Sequence, residues 1–211
     1  MAGMVIIGAG HAAGQAAASL RQEKYTGPIT IIGDEAHVPY QRPPLSKAYL
    51  SGSQEVDRVY LRAEKFYQDK DITLKLSTRV TGIDRNTKTV ALDNDETIDY
   101  DKLLISTGSR PRKLTIPGSD LEGIHYLRTI DDVDGIRASM TAGANLVIVG
   151  GGYIGLEVAA VGKELGLNVD VLEMEDRILQ RVTTGRNGCT RVTKSACRSH
   201  TSAIPVSAKE I

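Results

Sequence analysis

The sequence predicts an α/β protein built from two strand–turn–helix–strand units, and three observations support this fold class. A glycine-rich segment at residues 5–13 (VIIGAGHAA) follows an apolar start, and a second one lies at residues 146–155 (LVIVGGGYIG). Each apolar run is typical of a buried parallel strand, and each segment opens onto a helical pattern. A further apolar run that ends in an acidic residue follows in both places. This order is the signature of a Rossmann-like, dinucleotide-binding unit.

Within each glycine-rich segment, three fixed positions suit a bound pyrophosphate. The first glycine makes a tight turn, and the second lets backbone N–H groups approach the phosphates at the helix N-terminus. The third position lets helix and strand pack closely. These positions are Gly8, Gly10 and Ala13 in the first segment and Gly150, Gly152 and Gly155 in the second, and the helices open with His11, Ala12, Tyr153 and Ile154. Two nucleotides are therefore predicted, although one glycine triplet alone could simply turn a loop.

The chain between the two segments predicts the rest of the first unit. Residues 29–32 (ITII) form a second apolar strand, and Asp34 and Glu35 follow it, where a carboxylate usually holds a ribose hydroxyl. The alternative for these two acids is a solvated turn. Residues 72–76, 79–84 and 89–92 are predicted to be strands of an antiparallel excursion. Residues 103–108 are predicted to be a buried strand that ends at a glycine turn.

The second unit is predicted to continue with a helix over residues 153–165, a stop at Gly166 and a strand over residues 169–173. Glu173 ends that strand. A carboxylate at this position suits the free ribose hydroxyl of NADH and repels the additional phosphate of NADPH, so NADH is the predicted ligand. Arg177 lies close enough in the sequence to leave NADPH as the less favoured alternative.

Composition and charge restrict the class of function. The chain of 211 residues has 26 acidic and 26 basic side chains, so no basic field favours nucleic acid or an anionic membrane. No apolar run approaches the roughly 20 residues of a transmembrane helix, and no basic region precedes the first apolar stretch, so a cytoplasmic location is expected. Cys189 and Cys197 are the only cysteines and form no Cys-x-x-Cys pattern, so neither a disulfide framework nor a metal site is expected.

Five segments share their order and spacing with a known family: residues 5–13, 42–47 (RPPLSK), 106–112 (STGSRPR), 126–129 (YLRT) and 150–157 (GGGYIGLE). Together they resemble the FAD-dependent, NADH-oxidising ferredoxin and rubredoxin reductases of the putidaredoxin-reductase type. The resemblance runs to about Val182. It implies two Rossmann-like FAD/NAD(P)-binding units of the glutathione-reductase-like fold, both incomplete.

The resemblance also implies roles for individual residues. FAD would lie on the first unit, with Ala12 at the pyrophosphate turn, Asp34 on the adenosine ribose and Lys47 beside the flavin ring, where a lysine stabilises developing negative charge. Glu157 would lie near the nicotinamide. Lys47 and Glu157 are thus the predicted catalytic residues, with a surface lysine and a helix-dipole carboxylate as the alternatives. The other implied cofactor residues are Glu35, Arg42, Pro43, Val80 at the adenine end, Thr107, Gly108 and Arg128, which could instead be a surface ion-pair partner.

The resemblance further implies the route by which electrons leave. Disulfide reductases of this fold place a cysteine pair beside the flavin, whereas no cysteine lies in or around the loop before Lys47. Direct transfer to an external acceptor remains, and a small iron–sulfur protein, a ferredoxin or a rubredoxin, is the expected partner. Another cysteine-free flavoprotein of this fold, an NADH oxidase or a nitrite reductase subunit, is an alternative.

Three regions are expected from the sequence. Residues 1–112 form the first part of the FAD-binding domain, residues 113–182 form the first half of the NADH-binding domain, and residues 183–211 form an atypical, disordered tail rich in polar residues. Members of the family resembled are about twice as long and carry a second flavin motif that has no clear counterpart here. A truncated chain is therefore expected, with a non-catalytic nucleotide-binding fragment as the alternative function.

Overall fold

The computed structural model describes residues 2–175, 177–179 and 202–205, and it divides into two compact units. The first unit comprises Met1–Arg42 and Glu55–Arg110, and the second comprises Pro43–Gln54 and Pro111–Ile211. The boundary after Arg110 lies close to the one expected after residue 112. The segment Pro43–Gln54 differs from the expectation, because it packs with the second unit although its sequence position lies within the first.

The first unit contains the strands β1 (Gly3–Ile7), β2 (Ile29–Ile32), β3 (Ile72–Lys75), β4 (Val80–Asp84), β5 (Thr89–Leu92) and β6 (Thr97–Ile105) and the helices α1 (His11–Gln22) and α2 (Glu64–Asp69). The strands form a six-stranded sheet with the order β3-β2-β1-β6-β5-β4. Strand β1 pairs in parallel with β2 and β6, β2 pairs in parallel with β3, and β4, β5 and β6 pair antiparallel. The predicted antiparallel excursion is thus confirmed for β4 and β5, whereas β3 is a parallel strand beside β2.

Strand β1 is buried on both faces, as its uninterrupted apolar sequence predicts. On one face Ile6 belongs to the same apolar cluster as Ala13 and Ala17 of α1. On the other face Val5 and Ile7 belong to a second cluster with residues of β2, β5 and β6. Both alanines are completely buried, so the alanine-rich helix lies close to the sheet. This packing fixes the start of α1 directly beyond the end of β1.

The second unit contains a 3-10 turn at Pro43–Ser46, the helices α3 (Ile130–Ser139) and α4 (Tyr153–Glu164), and the strands β7 (Asn145–Val149), β8 (Asn168–Glu173) and β9 (Ser202–Pro205). The strands form a three-stranded sheet with the order β7-β8-β9. Strands β7 and β8 are parallel, which confirms the second strand–helix–strand unit, and β9 pairs antiparallel with β8.

Three apolar residues in β6 and β7 are more exposed than their sequences predict. Helix α4 covers one face of β7 and β8, where Ala159, Val169 and Val171 form the core. On the other face of β7, Val147 and Val149 are 56% and 63% exposed, and Ile105 at the end of β6 is 60% exposed. The prediction of fully buried strands was wrong at these positions. In β7, Leu146 and Ile148 pack against the core that contains Ala159 of α4, so the alternating residues Val147 and Val149 lie on the opposite face.

The region expected to be a disordered tail falls largely outside the described residues. Residues 183–201 and 206–211, with both cysteines, lie outside the described residues, so disorder there remains a prediction. At Ser202–Pro205 the structure differs from the expectation, because these residues form β9 and satisfy backbone groups on the outer edge of β8. Within the described ranges, no helix has both the length and the apolar character that crossing a bilayer requires.

Candidate dinucleotide-binding sites

The first glycine turn is closed by the backbone that follows β6. Gly8 has a φ of +103°, in the region that favours glycine, and a Cβ there would overlap the carbonyl oxygen of Ser106. The same Cβ would lie 3.0 Å from the Cα of Thr107. The N–H of Gly8 donates to the Ile32 carbonyl at 2.7 Å. The predicted residue Thr107 therefore lies against the predicted tight turn, and Gly108 follows it with a φ of +70°.

The second glycine of this segment faces open space at the start of α1. Beyond its chain neighbours, no atom of the described residues lies within 4 Å of the Cβ position of Gly10. Gly10 caps the helix without a side chain, and the first turn of α1 contains no acidic residue. The exposed residues His11 and Ala12 begin the helix. This start leaves helical N–H groups available to an anion, so it fits a pyrophosphate.

Two residues of α1 pack closely against the rest of the first unit, although the glycine fingerprint names only one of them. Ala13, the third position, is buried and packs towards the sheet. Gly14 beside it is also tightly enclosed, because a Cβ there would lie 2.7 Å from the Cβ of Pro39 and 3.1 Å from the hydroxyl of Tyr67. The fingerprint does not predict this second contact, since it depends on chain segments distant in the sequence.

Asp34 and Glu35, the two acids after β2, are engaged by different partners. The Asp34 carboxylate pairs with Arg79 at 2.9 Å and with Arg110 at 3.7 Å. Glu35 pairs with Arg42 at 2.6 Å and accepts a hydrogen bond from the hydroxyl of Tyr40. The side chain of Asp34 is 47% exposed and that of Glu35 is 22% exposed, so Asp34 is the more accessible to a ribose.

The predicted residues Arg42 and Val80 have different surroundings in the first unit. Arg42 is held in place by Glu35 and lies over the Tyr40 ring at 4.9 Å. Its guanidinium group is thus fixed before any ligand binds. Val80 begins β4 and packs against the apolar cluster of β5 and β6. The structure places Val80, partly buried, at the edge of this apolar cluster.

The second glycine turn has the same shape but different neighbours. Gly150 has a φ of +110°, and apart from chain neighbours no described atom lies within 4 Å of its Cβ position or of that of Gly152. A Cβ on Gly155 would overlap the carbonyl oxygen of Gly150, so the third glycine is required by the turn itself. Tyr153 and Ile154 begin α4 with side chains 58% and 56% exposed.

Glu173 at the end of β8 turns towards this glycine segment. One carboxylate oxygen accepts a hydrogen bond from the N–H of Gly151 at 2.7 Å, and the other accepts one from the N–H of Glu175 at 3.0 Å. The N–H of Gly150 donates to the Leu172 carbonyl at 2.8 Å, which ties the turn to β8. The predicted ribose carboxylate and the predicted pyrophosphate turn therefore lie in direct contact.

Lys47 and Glu157, the two predicted catalytic residues, form an ion pair. The Lys47 ammonium lies 2.8 Å from one oxygen of Glu157, and the hydroxyl of Ser46 donates to the other oxygen at 2.5 Å. Ser46 is only 4% exposed. Burial raises the pKa of Glu157, but the hydrogen bonds from Lys47 and Ser46 and the charge of Lys47 outweigh it, so the net pKa is lowered. The carboxylate is thus held in its charged form.

A cleft of about 470 Å³ lies beside this ion pair. Both residues of the pair line it, and its other polar and apolar walls include Ser51, Tyr153, Leu156 and Val161. Sequence reasoning named the two charged residues but missed Ser46, although the serine immediately precedes Lys47. A buried hydroxyl gives no recognisable sequence signal, because its partner lies 111 positions away.

Three further hydrogen bonds hold the segment Pro43–Gln54 and the start of α3. The hydroxyl of Tyr49 donates to Asp134 of α3 at 2.8 Å, and burial together with that carboxylate raises the Tyr49 pKa to about 12. Thr129 caps α3, and its hydroxyl accepts from the N–H of Asp132 at 3.1 Å. The N–H of Arg128 donates to the same aspartate at 3.0 Å, so this predicted cofactor residue is fixed at the helix start.

These two units, each with a glycine turn between a parallel strand and a helix N-terminus, define a protein of the dinucleotide-binding α/β class. Residues 3–193 match the family model of the pyridine nucleotide-disulphide oxidoreductases, and the chain belongs to this family. The predicted fold class is therefore confirmed. In the described part of the chain, no group of three or more His, Cys, Asp or Glu side chains is arranged to hold a metal ion.

Named relatives confirm the resemblance to ferredoxin and rubredoxin reductases. The chain is 46% identical to rhodocoxin reductase from Rhodococcus erythropolis over 178 residues, which are 84% of this chain and 42% of the relative. It is 41% identical to a rubredoxin-NAD(+) reductase from Pseudomonas putida over 181 residues, 86% of this chain and 47% of the relative. The chain thus spans a little under half the length of these relatives.

Solved structures agree with the sequence comparison. Putidaredoxin reductase in its covalent complex with putidaredoxin has a TM-score of 0.80 at 39% identity, covering 87% of this chain and 45% of that one. The ferredoxin reductase for the CYP199A2 system from Rhodopseudomonas palustris has a TM-score of 0.85 at 37% identity, with 97% and 57% covered.

Proposed function

We propose that the protein is a flavoprotein oxidoreductase that passes hydride from NADH to FAD and then single electrons to a ferredoxin or a rubredoxin. The observation that carries this proposal is the presence of two glycine turns, one in each unit, each with an open second glycine at the start of a 12-residue helix. Relatives that match most of this chain are named as a rhodocoxin reductase and a rubredoxin-NAD(+) reductase.

The first unit is the proposed FAD site. The open space at Gly10 leaves room for a pyrophosphate where a side chain would obstruct it, and the N-terminus of α1 supplies N–H donors. Asp34 would hold the adenosine ribose, since it is the more exposed of the two acids after β2. Arg42, already fixed by Glu35, would add positive charge near the phosphates.

The second unit is the proposed NADH site. Gly152 is open in the same way as Gly10, and the N-terminus of α4 again supplies N–H donors. Glu173 would bind the ribose hydroxyls with its carboxylate. Both oxygens of this carboxylate accept hydrogen bonds from backbone N–H groups, which hold it in position. A 2′-phosphate brought to this carboxylate would meet like charge, so NADH is favoured over NADPH.

The ion pair of Lys47 and Glu157 is the proposed reaction centre. When FAD is bound, the flavin accepts two electrons as hydride and can release them one at a time. The Lys47 ammonium supplies positive charge where negative charge develops, and Glu157 holds that ammonium in position through its contact at 2.8 Å. Glu157 also accepts from Ser46, so its carboxylate has a single orientation beside the cleft.

An external acceptor follows from the position of the cysteines. The only two, Cys189 and Cys197, lie far along the sequence from Lys47, so the loop before Lys47 supplies no thiol. We therefore propose a small iron–sulfur protein as partner. We also propose a cytoplasmic location, because NADH, the proposed donor, is a cytoplasmic reductant; cell fractionation followed by immunoblotting tests this.

The visible absorption spectrum of the purified 211-residue chain, before and after anaerobic addition of NADH, tests the proposal. A flavin band that NADH bleaches is expected. Gly10→Val should abolish the flavin band without unfolding the protein, because the backbone at Gly10 has an ordinary φ of −89° and the Cβ points into open space. Gly135→Val in α3 is the control, since its Cβ position is equally open. A chain that binds no FAD, even when FAD is added, contradicts the proposal.

The identity of the acceptor needs a second assay. Rates of NADH oxidation are compared with a two-iron ferredoxin, with a rubredoxin and with oxygen alone. Faster turnover with either iron–sulfur protein supports the proposed function. Equal rates with oxygen alone would instead favour an NADH oxidase.

A further inference from the structure

Gly151 occupies the middle of the second glycine segment, a position that the dinucleotide fingerprint leaves open to any residue. Here it makes two specific contacts. Its N–H donates to Glu173 at 2.7 Å, and its carbonyl oxygen accepts from the N–H of Leu179 at 3.0 Å. Gly151 thus connects the glycine turn with the carboxylate at the end of β8 and with the chain that follows it.

Gly151 is required for space and not for backbone conformation. Its φ lies outside the left-handed region, so an alanine could adopt the same backbone. A Cβ would, however, lie 2.9 Å from Cγ2 of Ile178 and 3.1 Å from the carboxylate oxygen of Glu173. Both neighbours are ends of side chains and not backbone. An alanine would therefore displace them and leave the turn itself in place.

The three consecutive glycines differ in the space that surrounds their Cβ positions. The Cβ positions of Gly150 and Gly152 have no described atom within 4 Å apart from their chain neighbours, whereas that of Gly151 faces Glu173. Substitution of Gly152 would thus obstruct a nucleotide directly. Substitution of Gly151 would move the residue that recognises the ribose.

We infer that Gly151 is a positioning residue that fixes the Glu173 carboxylate and thereby sets the preference for NADH over NADPH. This inference rests on the proposed function of the second unit. The carboxylate is anchored at one oxygen by Gly151 and at the other by the N–H of Glu175 at 3.0 Å. It cannot turn away from an incoming 2′-phosphate without breaking these bonds.

Isothermal titration of the full 211-residue chain with NADH and with NADPH tests this inference, and the readout is the ratio of the two dissociation constants. The wild-type protein should bind NADH more tightly. Gly151→Ala should reduce that preference by about fivefold or more, the effect of one misplaced hydrogen bond. Gly152→Ala is the matched control and should weaken both nucleotides alike. If Gly151→Ala also weakens both alike, its role is merely structural and the inference is wrong.

Two further variants separate this inference from the proposed function. Glu173→Gln should reduce the preference by itself, and adding Gly151→Ala to it should change the ratio no further, because Gly151 acts through Glu173. If the wild-type chain binds neither nucleotide, or if Glu173→Gln leaves the ratio unchanged, the proposed NADH site fails and the inference fails with it. If only Glu173→Gln changes the ratio, the inference alone is overturned.

A variant outside the glycine turn covers the case in which Gly151→Ala does not fold. Glu173→Asp keeps the charge but shortens the side chain by one methylene, so the carboxylate cannot reach the N–H of Gly151. We expect it also to reduce the preference for NADH. A wild-type ratio in Glu173→Asp would show that the anchor at Gly151 is not needed, and would overturn the inference.

Discussion

The two glycine turns share one sequence spacing but obtain their close packing from different places. In the first unit, Gly8 packs against the backbone of Ser106 after β6, and Gly14 packs against Pro39. In the second unit, Gly150 has open surroundings, and the tight contact among the three fingerprint glycines is internal to the turn, between Gly155 and the carbonyl of Gly150. The fingerprint glycines therefore depend on tertiary neighbours in one unit and on local geometry in the other.

The carboxylates at the ends of β2 and β8 also differ in the groups that hold them. Asp34 is held by the side chains of Arg79 and Arg110, which are themselves exposed. Glu173 is held by the backbone N–H groups of Gly151 and Glu175. Side-chain ion pairs at a surface are weak and are screened by salt, whereas hydrogen bonds to the backbone fix a position. The two turns should therefore respond differently to substitution.

The largest expected difference concerns the first glycine of each turn. Gly8→Ala combines left-handed backbone strain with overlap on Ser106, so we expect a loss of about 3 kcal/mol or more in the free energy of unfolding of the first unit. Gly150→Ala carries only the backbone strain, about 1–2 kcal/mol. Urea unfolding followed by circular dichroism measures both, and amide hydrogen exchange assigns each loss to a unit. Equal losses would contradict the comparison.

A smaller difference is expected at the glycines that allow the helices to approach. Gly155→Ala meets the backbone oxygen of Gly150, so we expect a loss of about 2 kcal/mol in the second unit. Gly14→Ala meets side-chain atoms of Pro39, Leu61 and Tyr67 and not a backbone oxygen, and alanine favours a helix by about 1 kcal/mol, which offsets part of the cost. Urea unfolding should therefore give the smaller loss for Gly14→Ala, and the opposite order would disprove this reasoning.

Acidification is expected to weaken the second unit through Glu157. The Glu157 pKa is lowered in the folded state, so the carboxylate contributes stability above its unfolded pKa of about 4.3, and that contribution is lost as the pH falls through the folded pKa. Ser46→Ala should cost about 1 kcal/mol at pH 7 and should make the loss in acid shallower.

The measurement is urea unfolding at pH 7 and at steps between about pH 5 and pH 3. Ser51→Ala is the control, because Ser51 lies in the same segment but its hydroxyl bonds only nearby groups, the Ala48 carbonyl and Ser53. An unchanged acid profile in Ser46→Ala would show that Ser46 does not influence Glu157.

The smallest expected effect is that of Asp34→Asn on stability. Its ion pairs with Arg79 and Arg110 are exposed, so the loss should stay below about 1 kcal/mol and should vanish in 1 M salt. FAD affinity should nevertheless fall, because the ribose carboxylate is lost. Unfolding curves at low and high salt, with flavin titrations alongside, separate the two effects. A large loss of stability that persists in high salt would show that Asp34 has a structural role.

Much of the fold followed from local sequence patterns. The apolar runs before Gly8 and Gly150 predicted β1 and β7, and α4, β4 and β5 lie close to their predicted bounds, whereas β6 begins at Thr97, earlier than predicted. These elements were predictable because periodicity and glycine conformation act over a few residues. The burial of β7 was not predictable, since the exposure of Val147 and Val149 depends on which elements cover each face.

The candidate sites show the same division. Lys47 and Glu157 were named from a resemblance, but their contact, and the hydroxyl of Ser46 on the same carboxylate, join positions more than 100 residues apart. Gly151 was overlooked, because the fingerprint assigns no role to its position. Its role depends on the side chains of Glu173 and Ile178, which only the fold brings to it.

The sequence by itself determined the α/β class, the two glycine turns and the acids that end the second strands. It could do so because strand length, helix periodicity and the conformational freedom of glycine are local properties. Tertiary structure decided which glycines tolerate a side chain, which partner holds each carboxylate, and that the segment Pro43–Gln54 packs with the second unit. These features depend on atoms brought together from distant parts of the chain, so their energies are set only when the whole fold excludes water and fixes the neighbours.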